Sequence, residues 1–172
     1  MILGFVVCLW LVVCAAYDLK WREVPSALTI PPLFGAVLWK VLDGNVAVAL
    51  FVVALFILAD VSVRARGFAN GLQAVVFCLG LAISPDPWLA AITMLTAYVI
   101  WAIWRLEKMG GADAQVLLAL TLVFGPAILL PITLAGGVQG LVSLLAKKRT
   151  IPYMVSILAG ASIFVLFHPS IF

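Results

Sequence analysis

The chain predicts an all-α, polytopic membrane bundle of about eight crossings, at about 20 apolar residues per crossing. Three observations lead there. Of its 172 residues, 66% are hydrophobic. Only ten are Lys or Arg and seven Asp or Glu, fewer than a soluble globule of this length carries. The apolar runs follow one another with almost nothing left for loops. An attached soluble domain is thereby excluded, and one integral membrane domain over residues 1–172 is expected. The basic residues are scattered between apolar runs and make no basic face, so nucleic acid is excluded as a partner. Membrane lipid is the expected surrounding.

The apolar segments run over 2–16, 27–42, 45–63, 70–84, 88–106, 114–124, 127–146 and 152–168. The first has no basic residue before it and meets its positive charge afterwards, so it reads as an uncleaved helix rather than a signal peptide. The second starts beside Pro25 and stops at Asp43-Gly44-Asn45, a turn sequence that opens the third. The fourth stops at Pro85-Asp86-Pro87, a second turn, from which the fifth departs. The sixth follows Gly110-Gly111. The segments 70–84 and 114–124 are shorter than a full crossing. In the seventh, Gly136 and Gly140 form a small-xxx-small pair suited to packing against a neighbouring helix. The eighth follows Pro152.

Alternating sides along this order places Lys20, Arg22, Arg64, Arg66, Arg105, Lys108, Lys147, Lys148 and Arg149 on one face and Lys40 alone on the other. The positive-inside bias makes the first face cytoplasmic and puts both termini outside, in the plasma membrane of the cell. Asp43 and Asp86 fall in short outer turns. Trp21 and Trp104 lie near the inner surface and Trp39 and Trp88 near the outer one, as an aromatic belt requires, whereas Trp10 and Trp101 add little. Cys8, Cys14 and Cys78 sit in apolar helices without paired spacing and read as small core hydrophobes. With His168 the only histidine, no zinc ligand set can be assembled. No glycine-rich phosphate loop is present either, so neither metal nor cofactor is expected.

The seven carboxylates carry the remaining information, because a carboxylate near the apolar core is costly and usually functional. Asp43 and Asp86 belong to turns, and Glu23 and Glu107 to cytoplasmic connections beside Arg22 and Lys108. Asp60 has Arg64 one turn on as a helical partner. Asp18 and Asp113 differ. Asp18 closes the first helix in Tyr17-Asp18-Leu19-Lys20-Trp21-Arg22-Glu23-Val24-Pro25-Ser26, and Asp113 opens the sixth in Gly110-Gly111-Ala112-Asp113-Ala114-Gln115. Both lie at the cytoplasmic boundary in this topology. Taken singly, each also has a bland reading: an interfacial charge offset by Lys20 and Arg22, and a helix cap after a glycine turn.

As a pair, with their flanks, they resemble something more specific. Tyr-Asp-Leu-Lys-x-Arg-Glu-Val-Pro resembles the first active-site motif of type IV prepilin peptidases, and Gly110-Gly111-Ala112-Asp113 their second. Lys147-Lys148-Arg149 followed by Thr150-Ile151-Pro152-Tyr153 is similar to the basic, then Ile-Pro-aromatic, entry to that family's last helix. The motifs occur in the family's order and span nearly the whole chain. The Gly-Gly-Ala-Asp-Ala wording is most similar to the archaeal prepilin and preflagellin peptidases.

The resemblance implies an aspartic endopeptidase with Asp18 and Asp113 as its catalytic pair. Gly110, Gly111, Ala112, Lys20, Pro25 and Pro152 would support the site. Arg22, Gln115, Lys147, Lys148 and Arg149 are candidates for contact with substrate or lipid headgroups. The implied partner is a precursor pilin or archaellin, whose short basic leader precedes one hydrophobic helix and is removed at the cytoplasmic membrane face. The chemistry is compatible with this: two neighbouring carboxylates share one proton, so one takes a proton from water while the other polarises the scissile carbonyl. Glycines at 110 and 111 leave room for close backbone approach.

The chain departs from the family in having Gln115 where many members have Lys, and Ser26 where many have Asn. Ninety-four residues separate Asp18 from Asp113. That exceeds the usual six-helix core by enough for two extra crossings, placed around 45–84. No cysteine-tetrad insert is present and nothing resembles a methyl-donor site, so cleavage without N-methylation is expected. Two other readings stay open. Presenilin-like and signal-peptide peptidases also pair Tyr-Asp with Gly-x-Gly-Asp, although their Pro-Ala-Leu appears here only as Pro126-Ala127-Ile128. A small proton-coupled transporter or assembly subunit could use Asp18, Asp60 and Asp113 as a proton path, but the chain shows no internal repeat of the transporter kind.

Overall fold

The computed structural model describes residues 2–57, 66–146 and 152–168. Asp60, Arg64, Lys147, Lys148 and Arg149, with the contacts expected of them, lie outside the described residues. Among the described residues the fold is all-helical, with eight α-helices: α1 (Ile2–Trp21), α2 (Ser26–Leu42), α3 (Val46–Ile57), α4 (Arg66–Ile83), α5 (Pro87–Arg105), α6 (Gly111–Phe124), α7 (Leu129–Leu145) and α8 (Tyr153–Phe167). Each falls on one of the eight apolar segments. The stretches Ile2–Trp21, Pro87–Arg105 and Pro126–Leu145 are long and apolar enough to cross a membrane by length and composition. The other helices are apolar but shorter. The chain is a membrane helical bundle.

Tertiary contacts divide the chain into two compact units, Met1–Thr29 with Ala127–Phe172, and Ile30–Pro126. In the first unit α1 and α7 both pack on α8. Helix α8 buries Met154, Ile157, Gly160, Ala161 and Phe164, the three- and four-residue spacing of a helix face turned to neighbours. Gly160 sets how closely α7 approaches: a Cβ there would lie 2.4 Å from the Ile132 Cα, so only glycine fits. Gly136 contributes less closely, its built Cβ lying 3.3 Å from the Tyr153 ring, and Gly140 has nothing within 4 Å. The Trp10 indole donates to the Leu28 carbonyl at 2.8 Å. That carbonyl loses its usual helical donor four residues on, because Pro32 has no N–H.

In the second unit α3 packs on α4 and α5, α4 on α5, and α5 on α6. Helix α5 starts where the turn chemistry says it should: Asp86 is the N-cap, its side chain accepting from Leu89 N at 3.0 Å, and Pro87 follows directly. It then buries the stripe Ala90, Thr93, Met94, Ala97 and Ile100. The other expected turn is closed by Gly44 at φ 78, with Asp43 paired to Lys40 at 3.3 Å. Helix α6 is buried on almost every side, from Ala114 through Leu122 and Phe124 apart from Gln115 and Val123. It stops at Gly125, φ 81, ahead of Pro126.

Candidate active site

Asp18 lies in the last turn of α1 and is half-buried. Helix α1 ends because Arg22 takes the left-handed conformation, φ 59, that glycine more often supplies, and sends its N–H back to the Asp18 carbonyl at 3.0 Å. The Asp18 side chain reaches another helix. Its Oδ2 accepts from the backbone N–H of Met154, 3.2 Å away in the first turn of α8. Pro152, the N-cap of α8, makes no side-chain cap bond. Asp18 therefore supplies the acceptor that a capping Ser or Asp ordinarily provides two or three residues back. The Tyr-Asp motif and the Pro152-Tyr153 motif, 136 positions apart between bonded residues, meet through this bond.

A second bond set braces the same turn from α7. Gln139 Nε2 donates to the Pro152 carbonyl at 3.1 Å, and Gln139 Oε1 accepts from the Ser156 hydroxyl. Ser156 and Met154 are both buried. None of Gln139, Met154 and Ser156 was expected at the site from the sequence. The available signal was Gln139 as the only amide side chain in the apolar segment 127–146.

Lys20 is exposed, and its Nζ lies 4.3 Å from the Trp21 ring centroid. Asp18 forms no ion pair with the described residues, so Lys20 and Arg22 do not offset it directly. Pro25 stands just before α2, its carbonyl accepting from Leu28 N at 2.9 Å, and Pro152 just before α8. Each proline thus marks a helix start, as expected.

In the second unit, Gly110 is the N-cap of α6 and Asp113 stands in its first turn, where a carboxylate is favoured by the helix dipole. Gly110 is there for space, since it adopts an ordinary extended conformation, φ −62 and ψ 146. A Cβ on Gly110 would come within 3.1 Å of Asp113 Oδ2, and one on Gly111 within 3.4 Å of Trp104 Nε1. The Asp113 carboxyl therefore folds back over its own helix start, and the Trp104 indole, itself 5.9 Å from the Phe56 ring, covers the turn. Ala112 and Gln115 are half-buried. Gln115 lines an apolar cleft of about 290 Å³ with Phe34, Val52, Phe56 and others.

Among the described residues no three His, Cys, Asp or Glu side chains gather into a metal-holding group. His168 ends α8, its ring stacked 4.4 Å from that of Phe164.

Neither the curated proteins nor the solved structures gave a match to the chain. A family model did: the one describing the type IV leader peptidase family matches residues 5–145, a span that contains both aspartate motifs. Two carboxylates at tightly built helix termini, in a helical membrane bundle, fit that assignment. The chain is a protease of this kind, a member of the type IV leader peptidase family.

Proposed function

We propose that the chain is an aspartic endopeptidase of the plasma membrane. It removes the short basic leader from type IV pilin-like or archaellin precursors at the cytoplasmic face, with Asp18 and Asp113 as the catalytic pair. One observation carries the reading beyond family membership: the Asp18 carboxylate is held by the α8 start at Met154 N. A counter-charge for Lys20 and Arg22 would have no need of that bond. It joins the first and third motifs, as a built site requires.

In this mechanism the two carboxyls share one proton. The ionised one takes a proton from water as the water oxygen attacks the scissile carbonyl, and the protonated one polarises the carbonyl oxygen. Collapse of the tetrahedral intermediate breaks the C–N bond, and a carboxyl proton passes to the leaving amine. The products are the leader's new carboxyl terminus and the mature amino terminus. Both units then serve one peptidase domain, with α3 and α4 as the additional pair of helices. The Gly110 and Gly111 backbone offers close approach to an extended substrate, and Pro25 and Pro152 fix the helix starts. In this reading Lys20, Arg22 and the basic residues 147–149 serve to attract leader or headgroups. The termini lie outside, and the new amino terminus is left unmethylated.

Co-expression with a candidate precursor tests this through the mobility shift of leader removal. Asp18→Asn and Asp113→Asn should each abolish the shift while the protein still inserts. Normal processing by either variant removes the two-aspartate mechanism. Mass spectrometry of the product checks the methylation claim: a terminal methyl group would overturn it.

A further inference from the structure

We propose that Gln139 is a positioning residue for Asp18, acting through the first turn of α8. The inference rests on the reading of Asp18 as catalytic. The path consists of hydrogen bonds within one unit. The Gln139 amide donates to the Pro152 carbonyl at 3.1 Å and accepts from the Ser156 hydroxyl, gripping α8 at its N-cap and one turn further on. Between those two grips stands Met154, whose N–H reaches Asp18 Oδ2 at 3.2 Å.

The arrangement has a physical logic. A helix begins with N–H groups that lack partners, and Pro152 brings no capping side chain. The first turn of α8 would fray or rotate unless something outside it fixed it. Gln139 does so from α7, with both ends of its amide engaged, and the fixed turn then presents one N–H to Asp18. With Oδ2 held there, Oδ1 is the oxygen left for water and substrate. α1 ends only three residues later at Trp21, so Asp18 stands in a terminal turn. Small misplacements of a reacting group lower turnover about 10- to 100-fold, so loosening the turn should be felt in kcat.

The alternative is that Gln139 merely fills space between two apolar helices, and the two roles predict opposite results for Gln139→Leu. Leucine has similar bulk and suits an apolar contact, so a packing role leaves cleavage intact. Positioning predicts a fall in kcat of about tenfold or more, with KM close to wild type and a loss larger than any decrease in the folded fraction explains. Gln139→Glu keeps an acceptor for Ser156 but sets a carboxylate oxygen against the Pro152 carbonyl, and should be at least as defective. Ser156→Ala removes only one grip and should cost about two- to threefold, a loss set by one weakened neutral hydrogen bond.

The assay is cleavage of a synthetic precursor peptide, leader plus hydrophobic segment, by full-length protein in lipid nanodiscs, with Asp18→Asn and Asp113→Asn alongside. Loss of kcat in Gln139→Leu and Gln139→Glu at unchanged KM supports positioning. Wild-type kcat in both, with Asp18→Asn inactive, overturns the role of Gln139 and leaves the catalytic pair standing. Activity of Asp18→Asn removes the reading on which the role rests. If Gln139→Leu fails to fold, Gln139→Glu and Ser156→Ala decide by the same kcat criterion.

Discussion

The two candidate aspartates stand at helix termini, but the contacts seen at each differ in reach. Part of the placement of Asp113 is local: a glycine N-cap three residues back leaves room for its carboxyl, and the helix it opens is its own. Asp18 is placed by distant residues. It ends α1, and its oxygen is held at the start of α8, which Gln139 braces from α7. The contrast teaches that Asp18 depends on tertiary packing across the chain, whereas at Asp113 the adjacent Gly110 already carries part of the placement. Substitutions far along the chain should therefore disturb Asp18, and substitution of Gly110 should be felt at Asp113.

Removing either carboxyl is the largest expected effect and the one that treats the two sites alike. General acid–base groups contribute about 10²- to 10⁴-fold, so Asp18→Asn and Asp113→Asn should each reduce cleavage by at least that much without changing membrane insertion. The double variant should be little worse than either single one if the carboxyls act as a unit. Additive losses would instead separate them.

The next effect should break the symmetry. Gly160 lies against the Ile132 backbone, and any side chain there pushes α7 from α8. Gly160→Ala should cost about 1–3 kcal/mol of stability, the range for overpacking a filled core, seen as a lowered thermal midpoint. The loss of cleavage should exceed what the folded fraction explains, because the α8 turn that holds Asp18 moves too. Gly140→Ala, at a position with nothing within 4 Å, is the control and should be neutral.

These glycines also show what could be read from the residues alone. The eight helices were legible from their apolar runs, and two of the junctions report themselves as turns, Asp43-Gly44-Asn45 and Pro85-Asp86-Pro87. The aspartate pair was legible because carboxylates are scarce and five of the seven have structural explanations. Gly160 was not, since a lone glycine carries no periodic signal, whereas Gly136 and Gly140 match a spacing. Of that pair only Gly136 meets a neighbouring helix within 4 Å. Trp10 offered no local clue until Pro32 was seen to free the Leu28 carbonyl that it caps. Gln139, Met154 and Ser156 act across 13 to 136 positions, and no sequence window contains such a relation.

A smaller effect is expected beside Asp113. Gly110→Ala would set a methyl 3.1 Å from Oδ2, and the carboxyl must yield by a few tenths of an ångström. Alanine is also a poorer N-cap than glycine, worth about 0.5–1 kcal/mol. Turnover should fall several-fold with KM unchanged, and the α7–α8 variants should not reproduce that pattern of mild destabilisation. If Gly110→Ala instead raised KM alone, the glycine would serve substrate approach rather than the orientation of Asp113.

The smallest effect is expected at Lys20, two residues from Asp18 yet turned over Trp21 at 4.3 Å from the ring centroid. An exposed cation–π contact is worth about 0.5–1 kcal/mol. Lys20→Ala should therefore change cleavage by no more than about fivefold, the factor that corresponds to that energy. Salt distinguishes its two possible partners. If Lys20 meets the precursor, the deficit appears in KM with a soluble leader peptide and shrinks as ionic strength rises, because salt screens the wild-type attraction as well. If Lys20 anchors the α1 end to lipid, KM for that peptide is unchanged, and the deficit instead follows the anionic lipid content of the nanodisc. A loss as large as that of Asp18→Asn would contradict the division drawn here, in which the Asp18 carboxyl is held by a backbone N–H of α8 and not by its neighbouring cations.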